Sequence, residues 1–280
     1  MNDSTACQIY KSDKRPVILQ FLNNTAVACG EYSNKTDKSC FGLKPDNMSV
    51  QKIDVLPMLN EHCPYPEVTR SLYIDPYGLF VFGRKPLVGD CQSQESKLTS
   101  ERFQLNWRNE SIVSPYPTGN YPTMTCAVAL NISHVMVIGG YVDGISLNSC
   151  FILNLNDNTW SPTTPMPLQY LQLMSCGLSE NGEVVVAGGV TNGGASASVY
   201  KYNPASNNWT NSTNLPVPVE RSVMLSWNNK LILLHTGTDN IYQMNNDDTW
   251  GLMNATLGER FDSQTDLAVI VPEQQFFCPP

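Results

Sequence analysis

One pattern of residues occurs twice in this chain, and its two copies lie 49 residues apart. In each copy an apolar run ends in a pair of glycines, and a tryptophan follows 20 residues after the second glycine. The first copy runs from Val135 to Trp160 and the second from Val184 to Trp209. A repeat in this range of lengths is typical of one supersecondary unit used several times. It therefore constrains the fold more strongly than any local feature.

The composition of each copy predicts four short β-strands. The β-branched run Val184 to Val186 favours a strand packed on both faces, and the glycine pair allows positive φ or close backbone approach. We expect a loop next, over 141–149 in one copy and 190–198 in the other. A second strand, an Asn/Asp/Pro turn and an outer strand follow, and the tryptophan on that outer strand can cover a gap between sheets. This arrangement is typical of a propeller blade.

The combination of a double glycine, an aromatic residue and a tryptophan over roughly 50 residues resembles the kelch repeat. The resemblance is strong over 121–167 and 170–218, where Asn203 stands in place of the aspartate of the family's Tyr-Asp-Pro phrase. A third unit has the single glycine Gly237, followed 13 residues later by Trp250. Upstream, Gly83 and Gly30 occupy the same slot at spacings of 56 and 53.

The resemblance implies an all-β fold, a kelch-type β-propeller that forms one domain over 1–280. Five units are predicted, at roughly 17–57, 67–117, 121–167, 170–218 and 219–258. Residues 261–280 and an N-terminal strand are expected to form a sixth blade, which would close the ring and remove open sheet edges. Six blades are favoured, and five blades with a loose tail are the alternative.

Charge and hydropathy exclude several kinds of partner. The chain has 17 Lys and Arg residues against 25 Asp and Glu, a formal net charge of −8. Nucleic acids and anionic membranes select basic surfaces, so neither is an expected partner. No apolar run approaches the roughly 18 residues of a membrane span, so we expect no membrane insertion.

N-glycosylation sequons are frequent, at about twice the number expected by chance. Nine asparagines begin an Asn-x-Ser/Thr phrase without an intervening proline: Asn2, Asn23, Asn34, Asn47, Asn109, Asn131, Asn208, Asn211 and Asn254. They predict N-linked glycans and an extracellular or secretory-pathway location. The chain begins Met-Asn-Asp-Ser without the features of a signal peptide, so we expect a leader that was removed or that lies outside this sequence.

Nine cysteines point to the same oxidising compartment. Cys29 and Cys40 flank a hairpin-like segment and could bridge adjacent strands. Cys126 and Cys176 occupy similar places in consecutive units and could face each other across blades. Two further candidate pairs are Cys63 with Cys91, and Cys7 with Cys278 in the sixth blade. Cys150 is expected to be the unpaired thiol. The alternative is that several of them are small buried hydrophobic residues.

The sequence contains little that indicates a reaction. Its three histidines, His62, His134 and His235, lack the spacing of a zinc site, and we predict no catalytic residue, no metal and no cofactor. The favoured hypothesis is an extracellular, non-catalytic module that has a structural or protein-binding role. A protein partner would bind the propeller loops, with Tyr141, Val142 and Ile145 as the predicted contact residues. The alternatives are a secreted propeller enzyme, oxidase- or glycosidase-like, with a site at the central channel, and an intracellular kelch adaptor.

Overall fold

The computed structural model describes fifteen stretches of the chain. They are residues 15–22, 25–31, 40–44, 49–53, 67–74, 78–84, 99–103, 109–112, 116–118, 122, 124–142, 144–168, 171–227, 230–235 and 238–256. These residues form 22 β-strands and no helix. The fold of the described part is therefore all-β, as predicted.

The first two sheets are four-stranded antiparallel meanders. The first consists of β1 (Arg15–Leu22), β2 (Thr25–Glu31), β3 (Cys40–Lys44) and β4 (Ser49–Ile53). The second consists of β5 (Glu67–Ile74), β6 (Gly78–Arg84), β7 (Thr99–Phe103) and β8 (Asn109–Ile112).

Three more four-stranded sheets follow, and the middle one carries an added hairpin. The third sheet consists of β9 (Cys126–Asn131), β10 (His134–Val142), β11 (Ile145–Asn154) and β12 (Thr159–Thr163). The fourth consists of β13 (Ser175–Leu178), β14 (Val184–Ala187), β17 (Val199–Asn203) and β18 (Asn208–Asn211), with the hairpin β15 (Val190–Thr191) and β16 (Gly194–Ala195) between β14 and β17. The fifth consists of β19 (Val223–Trp227), β20 (Lys230–Leu234), β21 (Asn240–Met244) and β22 (Trp250–Thr256).

The sheets follow one another through their first strands. β1 contacts β5, β5 contacts β9, β9 contacts β13, and β13 contacts β19. The fourth strand of each sheet lies at the opposite end of its strand order. This is the arrangement of a propeller, in which first strands surround the axis and fourth strands form the outer rim.

The hydrophobic core lies between neighbouring sheets, because the second strand of a sheet is buried on both faces. In β10, Val135 and Val137 pack against Ile74 of the second sheet. Met136 and Ile138 alternate with them and pack towards the fourth sheet. Side chains of successive strand residues point to opposite faces, so an uninterrupted apolar run serves two cores at once.

Two sequence predictions need comment. The loop expected over 141–149 is mostly strand, because β10 continues to Val142 and β11 begins at Ile145. The register between the two strands shifts from Ile138 to Gly140, and this irregularity lets the pairing continue past the glycine pair. The loop expected over 190–198 likewise contains the hairpin β15–β16. The sixth blade, from 261–280 and an N-terminal strand, lies outside the described residues.

Candidate functional site

Two hairpins project from the same end of the third and fourth sheets, and we call this surface the hairpin face. In the third sheet, β10 and β11 pair up to Val142 and Ile145. In the fourth, Val190 and Thr191 pair with Ala195 and Gly194. The turn of this second hairpin is closed by the Thr191 hydroxyl, which accepts a hydrogen bond from the Gly193 N–H at 3.2 Å and donates one to the Gly194 carbonyl at 3.3 Å.

Gln172 holds the two hairpins side by side. Its Nε2 donates a 2.6 Å hydrogen bond to the Ser146 hydroxyl at the start of β11. Its backbone exchanges two hydrogen bonds with Val190, of 3.1 and 2.7 Å. One residue in the connection between the sheets therefore fixes the hairpin of the third sheet relative to that of the fourth.

The glycine pair of the fourth sheet packs against the same connections. Gly188 and Gly189 have φ values of 69° and 99°, which confirms the expected positive φ. A Cβ on Gly188 would lie 2.7 Å from the carbonyl oxygen of Val219, and one on Gly189 would lie 2.7 Å from that of Gln172. Only glycine allows both the backbone conformation and this approach. The glycine pair thus allows the β15–β16 hairpin to pack closely against the segment before the sheet, which contains Gln172, and the segment after it, which contains Val219.

The predicted contact residues lie on the hairpin face but differ in exposure. Ile145 is 62% exposed, whereas Tyr141 and Val142 are half-buried. The neighbouring described side chains of Thr191 and Asn192 are also uncharged. A surface that Gln172 holds in place and that carries one protruding isoleucine is suited to contact with another protein. No residues on it combine acid, base and nucleophile in the described part of the face.

A disulfide joins the inner strands of the third and fourth sheets. Cys126 of β9 and Cys176 of β13 are bonded, with their Cα atoms 6.0 Å apart. Both residues are buried in the core between the two sheets. The pairing across neighbouring blades is the one that their positions in the repeat indicated.

Cys150 is a free thiol in the same core. In the register of the third sheet, Ile138 stands between Cys126 and Cys150. Burial raises the pKa of Cys150 to about 12, although hydrogen bonds from the backbone oppose the shift. A thiol with such a pKa forms little thiolate at neutral pH, so it is a weak nucleophile.

The remaining cysteine predictions concern parts of the chain with little or no described structure. Cys29 and Cys40 are directly opposite each other on β2 and β3. Opposite residues in an antiparallel pair have Cα atoms about 4.5–5.5 Å apart, which is within the range of a disulfide. The bond between them stays a prediction. Cys7, Cys63, Cys91 and Cys278 lie outside the described residues.

The two histidines of the described part have structural surroundings. His134 Nδ1 lies 2.9 Å from the Ser133 hydroxyl and 3.1 Å from Asn131 Oδ1, in the turn between β9 and β10. His235 is half-buried beside Tyr242, with a ring separation of 6.2 Å, and burial lowers its pKa. In the described residues no three His, Cys, Asp or Glu side chains are grouped to hold a metal ion. Nor does any helix there have the length and hydropathy to cross a membrane.

All sequon asparagines whose side chains are described lie on the surface. Asn131, Asn208, Asn211 and Asn254 are exposed. Asn109 begins β8. Asn2, Asn23, Asn34 and Asn47 lie outside the described residues. Whether these residues carry glycans stays a prediction.

Several contacts between sheets had no signal in the sequence. The Asn207 side chain accepts a 2.9 Å hydrogen bond from the Thr164 N–H, and the Asn207 carbonyl accepts one from the Thr164 hydroxyl at 2.6 Å. The indole of Trp209 donates to the Thr164 carbonyl at 2.9 Å. Trp209 therefore covers the gap between sheets, as predicted. The hydrogen bonds of Trp209 to Thr164 and of Gln172 to Ser146 join residues that are distant in the chain, so the sequence did not indicate them.

Comparison with known proteins agrees with this architecture. The family model described as "Kelch motif" matches residues 126–167 and 181–216, which lie in the third and fourth sheets. The fold is similar to a solved structure titled "Structure of YjhT", with a TM-score of 0.64 and 14% sequence identity over 84% of this chain and 83% of that chain. At that identity the similarity concerns the fold alone. No curated protein sequence matches the chain significantly.

Proposed function

For this chain, which is a kelch-repeat β-propeller, we propose the role of an extracellular, non-catalytic protein-binding module. The observation that carries the proposal is the hairpin face. There the exposed Ile145 stands beside half-buried apolar neighbours on a surface that Gln172 holds rigid. Kelch repeats commonly serve protein interaction, and preorganised loops reduce the entropy cost of binding.

The extracellular location is supported by the chemistry of the described residues. Disulfides persist in oxidising compartments and are rare in the cytosol, and Cys126 and Cys176 form one between two blades. The exposed sequon asparagines are accessible for oligosaccharides without disturbing the core.

The surroundings of two titratable side chains, His134 and Cys150, support the non-catalytic role. His134 belongs to a surface turn that it stabilises through Asn131 and Ser133. Cys150 is kept protonated by burial. The Ser133 hydroxyl lies 2.9 Å from His134 Nδ1 and 3.1 Å from Asn131 Oδ1, so it is held within this turn.

A binding screen with paired variants tests this role. The secreted, glycosylated chain is displayed as a bivalent fusion and screened against an array of purified extracellular protein domains. Ile145→Ser alters the hairpin face, and Ile132→Ser is the matched control. Ile132 is 71% exposed and lies at the opposite end of β10 from Ile145. The substitution Ile132→Ser also preserves the sequon at Asn131.

We expect the screen to find a partner. Its affinity should fall at least about tenfold with Ile145→Ser, which corresponds to roughly 1.4 kcal/mol. Its affinity should be unchanged with Ile132→Ser. Equal affinity for all three proteins would show that the hairpin face is not the binding surface. Turnover of a small molecule by the purified chain would instead support the enzyme alternative. A reduced, unglycosylated native protein would support the intracellular adaptor.

A further inference from the structure

The fourth strand of every sheet is an edge. β4, β8, β12, β18 and β22 each stand at one end of the strand order of their four-stranded sheet. An edge strand leaves a row of backbone N–H and C=O groups unpaired, and these groups can pair with a strand of another molecule. A propeller with open rims therefore needs some device on each outer strand that prevents such pairing.

The sequons are concentrated on these outer strands. β8 begins at Asn109, β18 begins at Asn208 and ends at Asn211, and β22 contains the whole sequon of Asn254. β4 begins at Ser49, the hydroxyl residue of the sequon that starts at Asn47. The concentration is marked because these strands are only four to seven residues long.

The third sheet lacks a sequon on its outer strand and has a proline there instead. Pro162 lies in β12, opposite Phe151 of β11. Proline has no N–H to donate and is a common means of blocking an edge strand. Among the described outer strands, β12 is thus the one that no sequon overlaps, and it carries a proline.

The acceptor side chains on β18 and β22 are oriented for modification. Asn208, Asn211 and Asn254 are exposed, while Trp209, next to Asn208, and Trp250, four residues before Asn254, are buried in the cores. An oligosaccharide on any of the three would extend into solvent beside the unpaired edge. The bulk of the sugar would keep a second strand from the spacing of about 4.8 Å that a β-ladder requires.

We propose that N-linked oligosaccharides on Asn208, Asn211 and Asn254, and on Asn109, protect the outer strands of this propeller from pairing with other chains. In the modification, the bond between the anomeric carbon of a lipid-linked oligosaccharide and its diphosphate oxygen breaks. The asparagine Nδ2 forms a new bond to that carbon, its proton passes to a base of the transferase, and the lipid diphosphate leaves. The proposal rests on the extracellular location given above.

The test uses the full chain secreted from a eukaryotic cell. Glycopeptide mass spectrometry measures occupancy at each sequon. A triple variant, Asn208→Gln/Asn211→Gln/Asn254→Gln, removes three acceptors, and sedimentation velocity measures its monomer fraction. As a control, Ser133→Ala removes the acceptor at Asn131. That residue is the last of β9, a first strand, so it lies on none of the outer strands, and its Oδ1 keeps the 2.8 Å hydrogen bond from the Ser133 N–H.

Two further measurements separate edge protection from misfolding. Folded wild-type protein is trimmed with an endoglycosidase that leaves one sugar on each asparagine, so that loss of the oligosaccharide follows folding. The substitution Leu252→Lys is added to the triple variant, because a lysine on an edge strand blocks pairing. Leu252 is 61% exposed on β22, two residues from Asn254.

We expect occupied sequons on the outer strands. At roughly 100 µM, the triple variant and the trimmed protein are expected to lose at least about half of their monomer. The Ser133→Ala control is expected to remain monomeric. Addition of Leu252→Lys to the triple variant is expected to restore at least part of the lost monomer. Occupied sequons with a monomeric triple variant would overturn edge protection while leaving the proposed location in place. A protein without glycans at any sequon would overturn both.

Discussion

The ammonium group of Lys201 lies 2.5 Å from Oδ1 of Asp248, and the two residues belong to neighbouring sheets. Lys201 is on β17 of the fourth sheet, and Asp248 is in the turn before β22 of the fifth. Glu183, just before β14, lies 3.2 Å from the same ammonium group. Burial disfavours the charged form of Lys201, but the hydrogen bonds to Asp248 and Glu183 outweigh it, so the pKa of Lys201 is raised. A single buried cation thus joins two blades through two carboxylates.

Replacement of Lys201 by methionine should lower the free energy of unfolding by about 1–3 kcal/mol. The methionine retains most of the apolar stem but leaves two carboxylates facing each other. The expected loss is moderate because both carboxylates are partly exposed to water. Urea unfolding measures it. The control is Lys230→Met, which removes a hydrogen bond to the exposed Asn246 and should change stability by less than about 0.5 kcal/mol. Equal effects of the two substitutions would contradict a special role for Lys201.

Replacement of Gly188 by alanine should destabilise the fold by more than about 2 kcal/mol. The residue has a φ of 69°, which is costly for alanine, and its new Cβ would meet both the side chain and the carbonyl of Val219. Gly144→Ala is the matched control. Its φ is 90°, but a Cβ there has nothing within 4 Å, so about 1 kcal/mol of backbone cost is expected. Thermal unfolding of both variants separates steric contact from backbone strain, and equal losses would show that contact with Val219 is unimportant.

The sequence predicts the sheets well because their cores need only a local pattern. The run Val184 to Val186 gives a strand that is buried on both faces, and the spacing of the repeat locates the next sheet. The predicted loop over 141–149 was wrong in extent, since Ile145 to Ser149 belong to β11. Strand pairing beyond the glycine pair depends on the partner strand and on a shift of register, and neither is visible in the composition of a Gly-, Ser- and Asn-rich segment.

The candidate site was only partly predictable for a similar reason. From the sequence we expect Ile145 to be exposed, because this residue is predicted to lie in a loop. Ile145 is indeed exposed, although it begins β11. Gln172, which holds the surface in place, acts through Val190 and Ser146, which are 18 and 26 positions away in the chain. The same applies to Lys201 and Asp248, which are 47 residues apart. Such pairs have no local signature, because their proximity results from the stacking of blades.

Loss of the disulfide between Cys126 and Cys176 should lower the free energy of unfolding by about 2–4 kcal/mol. The bond closes a segment with a sequence separation of 50 residues, and restricting the unfolded chain to that extent corresponds to roughly 4 kcal/mol in the chain-entropy model. The variant is Cys126→Ala/Cys176→Ala, studied by urea unfolding. Addition of a reductant should destabilise the wild-type protein by breaking this disulfide. The variant lacks the disulfide, so the reductant should not lower its stability in this way.

Cys150 should resist alkylation in the native protein and react once the protein unfolds. Its thiol is buried, and burial raises its pKa to about 12, so both access and thiolate formation limit the reaction. Intact mass after iodoacetamide treatment, with and without denaturant and without reductant, measures this. Peptide mapping should locate the new label at Cys150. Rapid labelling of Cys150 in native buffer would show that the core between the third and fourth sheets opens readily.

His235 should make the fold less stable as the pH falls below about 6.5, the usual pKa of histidine in an unfolded chain. Burial lowers the pKa of His235 in the folded protein, and its Nδ1 is buried without a hydrogen-bond partner in the described part of the chain. The unfolded state therefore binds a proton that the folded state does not, and stability is lost until the pH passes below the folded pKa. His235→Phe retains a ring beside Tyr242 and should weaken the dependence of the melting temperature on pH between 7.5 and 5. Identical pH profiles for wild type and His235→Phe would refute this origin.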